Sequence, residues 1–212
     1  MESNMKKIIA IVTVAFCLIA GSSFAQTLAS DLVKKTVDKM NRHKNIEFIF
    51  ELDMNNETLA VTESTSGEAY LQGEAYKLNM AETCVISDGK TLWTYLIDNE
   101  EVMVSDPNDD QSVINPIKML TTYDKDYTIK YVKSDSKGIK AVEMNNPKGE
   151  FNKVTLKIDE TKLEVIGATL TNRSGESFSI RIMKTIYDQN LDANFFTFDA
   201  KAHPNIDIID MR

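Results

Sequence analysis

Ser87-Asp88-Gly89-Lys90-Thr91-Leu92-Trp93-Thr94-Tyr95, continuing through Asn99-Glu100-Glu101-Val102-Met103-Val104, decides the fold class of this chain. Asp-Gly stands between the hydrophobic run Cys84-Val85-Ile86 and an aromatic run. This is the strongest short-range signature of a two-residue β-hairpin, because Asp and Gly tolerate the positive φ that such a turn needs. A second turn at Asp98-Asn99 returns the chain through Val102-Met103-Val104. The result is a three-strand antiparallel meander around the chain's single tryptophan.

Upstream, Leu28 to His43 reads as the one long helix. Leu28, Leu32, Val33, Val37 and Met40 recur at three- and four-residue spacing, with Lys34, Lys35 and Lys39 set off from the stripe. From Asn45 the period becomes two. Ile46, Phe48, Phe50, Leu52 and Met54 share one face, and Glu47, Glu51 and Asp53 the other. Further strands are expected at Thr58–Thr65, Gly67–Leu71, Tyr76–Met80, Thr83–Ser87, Thr91–Ile97, Glu101–Ser105, Tyr127–Ser134, Ile139–Asn145, Phe151–Ile158, Glu164–Thr171 and Ser177–Asp188. Turn chemistry separates them, as at Asn146-Pro147-Lys148-Gly149 and Asn172-Arg173-Ser174-Gly175. Ser112 to Leu120 interrupts the series with helical spacing at Val113, Ile117 and Leu120 and with Pro116 in its first turn. The pattern predicts a mainly β protein: one curved antiparallel sheet of about 11 strands with an N-terminal helix and a short helix beside it.

The first residues predict export. Lys6-Lys7, the apolar run Ile8 to Ala20 and Ser23-Phe24-Ala25 have the layout of a secretory signal peptide cleaved before Gln26. The run is shorter than the ~18–20 residues that span a bilayer. Phe16 before Cys17 does not suit a lipoprotein cleavage site. Residues 26–212 then form one domain, with no repeat or linker inside it. The net charge of −8 argues against nucleic acid as a partner. Cys84 alone survives cleavage, so no internal disulfide is available.

Catalytic and metal chemistry find no footing. His43 and His203 are the only histidines and lie far apart in sequence, so neither a nucleophile–histidine pair nor a zinc site is suggested. The Asp106–Asp110 loop lacks the glycine and terminal glutamate of a calcium loop. We read the chain as a non-enzyme without cofactor. What remains is a run of large apolar side chains along the strands, among them Phe48, Phe50, Trp93, Tyr95, Met103, Ile180 and Ile182. They can fill an ordinary core, or they can line an apolar cavity for a lipid chain.

The hairpin Ile86-Ser87-Asp88-Gly89-Lys90-Thr91-Leu92-Trp93-Thr94-Tyr95, with Glu101-Val102 and the downstream Asn115-Pro116 and Leu120, resembles the periplasmic outer-membrane lipoprotein carriers of the LolA family. The order of parts and the terminal run Phe195-Phe196-Thr197-Phe198-Asp199 resemble it too. The resemblance implies an incomplete, half-open β-barrel closed by lid helices, with an apolar interior that takes lipoprotein acyl chains. Cargo would come from an ATP-driven release complex of the inner membrane and pass to an outer-membrane acceptor, the carrier itself being a periplasmic monomer. Phe48, Phe50, Trp93, Tyr95, Met103, Ile180 and Ile182 would line the cavity, and Ile114, Ile117 and Leu120 the lid. The family's Arg-Pro pair is replaced here by Gln72-Gly73, so the lid-latching role of that arginine is not carried over. Two alternatives stand beside this reading: a carrier of another lipid, and a periplasmic regulator that senses lipoproteins on the same scaffold.

Overall fold

The computed structural model describes residues 27–56, 61–107, 127–134, 136–149 and 151–212. Helix α1 spans residues 27–40. Twelve strands follow: β1 (Ile46–Asn56), β2 (Val61–Gln72), β3 (Ala75–Met80), β4 (Thr83–Ser87), β5 (Leu92–Leu96), β6 (Glu101–Ser105), β7 (Thr128–Val132), β8 (Ile139–Asn145), β9 (Phe151–Asp159), β10 (Glu164–Asn172), β11 (Glu176–Tyr187) and β12 (Asp207–Asp210). They form one open sheet in the order β12-β6-β5-β4-β3-β2-β1-β11-β10-β9-β8-β7.

The expected architecture therefore holds, with four differences of detail. The Asp88-Gly89 hairpin closes through a four-residue loop, since Ser87 pairs with Leu92, and not through a two-residue turn. The two strands expected at Thr58–Thr65 and Gly67–Leu71 are a single strand, because β2 pairs with β1 without a break. β12 is absent from the expected series; it lies parallel to β6, while all other pairs are antiparallel. The helix ends at residue 40, and a turn follows in which Asn41 donates to the Val37 carbonyl. The short helix expected over Ser112 to Leu120 lies outside the described residues.

Hairpins between sequence neighbours build two wings, β1–β6 and β7–β11, and the β1–β11 ladder joins them. That ladder shifts register between Ile49 and Phe50, where Met183 is the extra residue of a bulge. Strand alternation then sorts every side chain to one of two faces. The front face carries Ala29, Leu32 and Val33 of α1 packed on Ile129, Val142, Met144, Val154, Ile158 and Leu170. A second cluster, Leu71, Tyr76, Val85 and Leu92, meets Met40 of α1 together with Phe48 and Leu78. The helix thus crosses the front face obliquely. Met40 sits at the lower end, where β1 begins and β11 ends, while Ala29, Leu32 and Val33 belong to a cluster that reaches Leu170, level with the start of β11.

Gly67 allows one close approach on that face. A Cβ there would lie 2.7 Å from the Phe50 ring and 2.5 Å from the Asn79 carbonyl oxygen. Gly67→Ala is therefore expected to lower stability by about 1–3 kcal/mol, the usual range for overpacking. Phe50→Ala should by itself cost about 3–5 kcal/mol. The double variant should lose less than the sum of the two single changes, because removing the ring relieves one of the two clashes. Urea midpoints of the single and double variants check this, and an unchanged midpoint for Gly67→Ala contradicts the packing described.

Candidate functional site: an apolar strip at the open end of the sheet

On β1–β6 and β11 the front face is closed at its lower end and only half covered toward its upper end. On β7–β10, by contrast, the row level with the start of β11, Leu170, Val154, Met144 and Ile129, is buried. Ile46, Leu71, Tyr76, Leu92 and Ser87 at the lower end are all buried. Toward the upper hairpins the same rows continue through Leu52 and Met54 of β1, Leu78 and Met80 of β3, Leu96 of β5, Met103 of β6 and Ile180 and Ile182 of β11. These side chains are half-buried among the described residues. Phe50, 6 % exposed, sits between the closed and the open parts.

Of the residues expected to line a cavity, five share this face: Phe48, Phe50, Met103, Ile180 and Ile182. Trp93 and Tyr95 do not. Thr94 pairs with Val85 and Met103, so its neighbours Trp93 and Tyr95 point to the back. There Trp93 stands between Ile86 and Val104, and Tyr95 between Cys84 and Val102. The sequence reading puts these aromatics on one wall with Phe48 and Phe50, because alternation gives each strand two faces without saying how those faces match between strands. Ile114, Ile117 and Leu120 lie outside the described residues.

The back of the β2–β6 wing has its own cover, which sequence reasoning missed. After β11 the chain folds over it as a strap. Phe195 meets the Tyr70 ring edge-on at 4.9 Å, and the Lys77 ammonium lies 4.9 Å from the centre of the Phe195 ring. Tyr95 packs against Phe198 at 5.6 Å and His203 at 5.1 Å, and His203 stacks on Phe198. Phe196 is buried. The three phenylalanines between Asn194 and Asp199 were the available signal, since so many exposed aromatics in a loop would be costly. A hollow of about 170 Å³ between Tyr95, Glu100 and residues 202–206 of the strap is smaller than the roughly 300–1,000 Å³ of usual ligand pockets. Cys84 also faces the back, donates to Asn79 Oδ1 at 3.1 Å, and has its thiol pKa pushed up by burial. It is a protonated packing group.

A polar clamp fixes the lower end of the front face. Lys39 of α1 pairs with Glu164 at 2.8 Å and also donates to the Lys162 carbonyl. His43 stacks on Tyr187 at 4.1 Å and its Nδ1 lies 2.7 Å from Asp188. Burial and the nearby Glu164 raise the Tyr187 phenol to about 12. Asn45 accepts from the Gln189 N–H and donates to its carbonyl, and the Gln189 amide donates to the buried Glu47. Glu47 and Glu68 in turn both accept from the Tyr70 hydroxyl at 3.0 Å. One continuous network therefore runs from the helix to the root of the strap.

With this geometry in view, kinship is plain. The profile of the family described as outer membrane lipoprotein carrier protein LolA matches residues 50–199, most of the chain, and the chain belongs to that family. Among curated proteins, none matches. A solved structure of an uncharacterized conserved protein from Thermus thermophilus is 9 % identical, with a TM-score of 0.56 over 85 % of this chain and 98 % of that one. A DUF1329 family protein from Desulfovibrio piger is 13 % identical, with a TM-score of 0.51 over 84 % and 99 % of the two chains. A LolA superfamily protein from Nitrosomonas europaea is 11 % identical, with a TM-score of 0.46 over 81 % and 98 %. At these identities the first two likenesses speak for the fold alone.

The clamp has a pH signature. The His43 hydrogen bond, helped by the Lys44 N–H, holds the Asp188 carboxyl below the usual range. A depressed folded pKa adds stability above the unfolded value of about 3.9, and that stability is lost as pH falls through the folded value. Asp188→Asn should therefore be less stable than wild type at about pH 5. The gap should close as acid protonates Asp188 in the wild type. Denaturation midpoints of both proteins across this range provide the check, and a gap that persists into strong acid contradicts it.

Proposed function

We propose that this chain is an exported periplasmic chaperone that holds the acyl chains of lipoproteins against the front apolar strip and carries them from the inner to the outer membrane. The observation that carries this reading is the half-covered strip of Leu52, Met54, Leu78, Met80, Leu96, Met103, Ile180 and Ile182 at the open end of a LolA-family sheet. Each methylene buried is worth about 0.8 kcal/mol, so a long acyl chain cannot cross an aqueous compartment unshielded. Release must still be possible, which suits a surface of adaptable side chains over a rigid pocket. Met54, Met80 and Met103 supply three unbranched, polarisable ones.

Cargo is received from the inner-membrane ATP-driven release complex and delivered to an outer-membrane acceptor. Ile114, Ile117 and Leu120 close the strip as a lid in this reading, on the strength of their helical spacing. Trp93 and Tyr95 hold the wall from behind and leave the cargo untouched.

Leu52→Asp combined with Met80→Asp should strand lipoproteins at the inner membrane in cells depleted of the wild-type protein, while Trp93→Phe should leave delivery intact. Fractionation of the envelope and detection of a lipoprotein marker read the outcome. Normal delivery by the double variant overturns the reading. A different lipid found by mass spectrometry in protein purified from its own envelope would favour the other-lipid carrier instead.

A further inference from the structure

Among the described residues, exposed apolar side chains are concentrated at one place. Of the six large hydrophobic residues exposed among the described residues, Ile97, Ile208, Ile209 and Met211 lie on β12, directly after it, or on the turn beside its start. β12 is the end strand of the sheet, so among the described residues one of its edges has no neighbouring strand. The Asp207 N–H donates to the Glu100 carbonyl and the Met211 N–H to the Val104 carbonyl. The two-residue period of a strand groups Ile209 with them and leaves the N–H and C=O of Ile208 and Asp210 directed outward.

The same edge is acidic. Asp98 and Glu100 of the β5–β6 turn, Glu101 at the start of β6 and Asp207 of β12 form no side-chain ion pair with the described residues. Arg212, the one basic residue of these two segments, is bound by Asp210. A second copy pairing edge to edge would set carboxylate against carboxylate, which is unfavourable. The opposite edge differs: β7 carries the exposed Lys130 and is followed by Lys133, side chains that discourage strand addition.

We propose that the free edge of β12 is a docking site for an extended, basic segment of a partner protein, which adds to the sheet as a thirteenth strand. Backbone groups of Ile208 and Asp210 supply the ladder, the acidic turn selects Lys or Arg, and the exposed isoleucines and Met211 receive apolar side chains. Ile209 shares the front face with Met103, so the docked segment borders the apolar strip. The inference needs only the edge and stands whether or not the strip carries acyl chains.

The test uses a fluorescent peptide that alternates valine with lysine, titrated into the full mature protein and followed by anisotropy. Binding should weaken as salt is raised, and Ile208→Pro should weaken it at least about tenfold by removing one outward donor while sparing the bonds to β6. Asp98→Lys with Asp207→Lys should shift preference to a peptide that alternates valine with glutamate. In the wild-type protein, the peptide should slow amide exchange at Ile208 and Asp210, a readout that depends on no variant. Absence of binding at millimolar peptide, unchanged exchange at those two amides, or a wild-type dimer that Ile208→Pro dissociates would each overturn the proposal.

Discussion

The antiparallel ladder between β1 and β11 is the constraint on which the rest of the structure depends. Every other antiparallel pair joins strands adjacent in sequence, so each wing can form from local hairpins. The β1–β11 ladder alone brings the wings together, across well over a hundred residues, and it runs the full length of both strands. It also gives α1 a surface long enough to cross, from Ile129 on one wing to Phe48 and Leu78 on the other. Without it neither core would be complete. Long-range pairing of this kind carries a large loop-closure cost, which makes its formation the natural slow step of folding.

Register in that ladder decides what the two faces are for. The front carries the apolar rows of both wings, with Thr65, Glu63 and Glu101 among them toward the upper rim. The helix covers the lower end of the β1–β6 wing and the cluster of the other wing, and leaves the strip from Leu52 to Met103 half covered. The back is divided: a strap rich in phenylalanine covers the β2–β6 wing, and over the wing beyond β1 the back carries polar and charged side chains such as Thr155, Thr169, Ser179 and Lys157. The clamp of Lys39, His43, Asn45, Glu47, Asp188 and Gln189 joins helix, central strands and strap at the closed end. Its buried polar atoms are paired, and no described side-chain atom in the interior lacks a partner. Rigidity is thus placed below and behind the open strip, which leaves the strip itself free to change shape.

Much of this was legible in the sequence, for identifiable reasons. Asp88-Gly89 announced a hairpin at the right place, but its loop is four residues, Asp88 to Thr91, and not the expected two. Gly89 has φ of +89°, while the Asp88 carboxylate accepts from the Lys90 and Thr91 N–H groups and widens the turn. The stripe of Leu32, Val33, Val37 and Met40 announced the helix and its buried face. β12 was hidden, since Asp207-Ile208-Ile209-Asp210 is short, flanked by acids and paired in parallel with a strand about a hundred residues earlier. The facing of Trp93 was hidden for a related reason. Alternation within a strand is local, whereas the match between one strand's faces and another's is set by register, turns and bulges such as the one at Met183.

The central claim is that acyl chains lie on the front of the sheet. Photo-crosslinking from single positions in cells tests it most directly, with a benzophenone side chain placed at Leu96 on the front or at Ile86 on the back. The account predicts a crosslink to the acylated N-terminal part of lipoproteins from position 96 and none from position 86. Crosslinks of equal strength from both positions, or from position 86 alone, would contradict it.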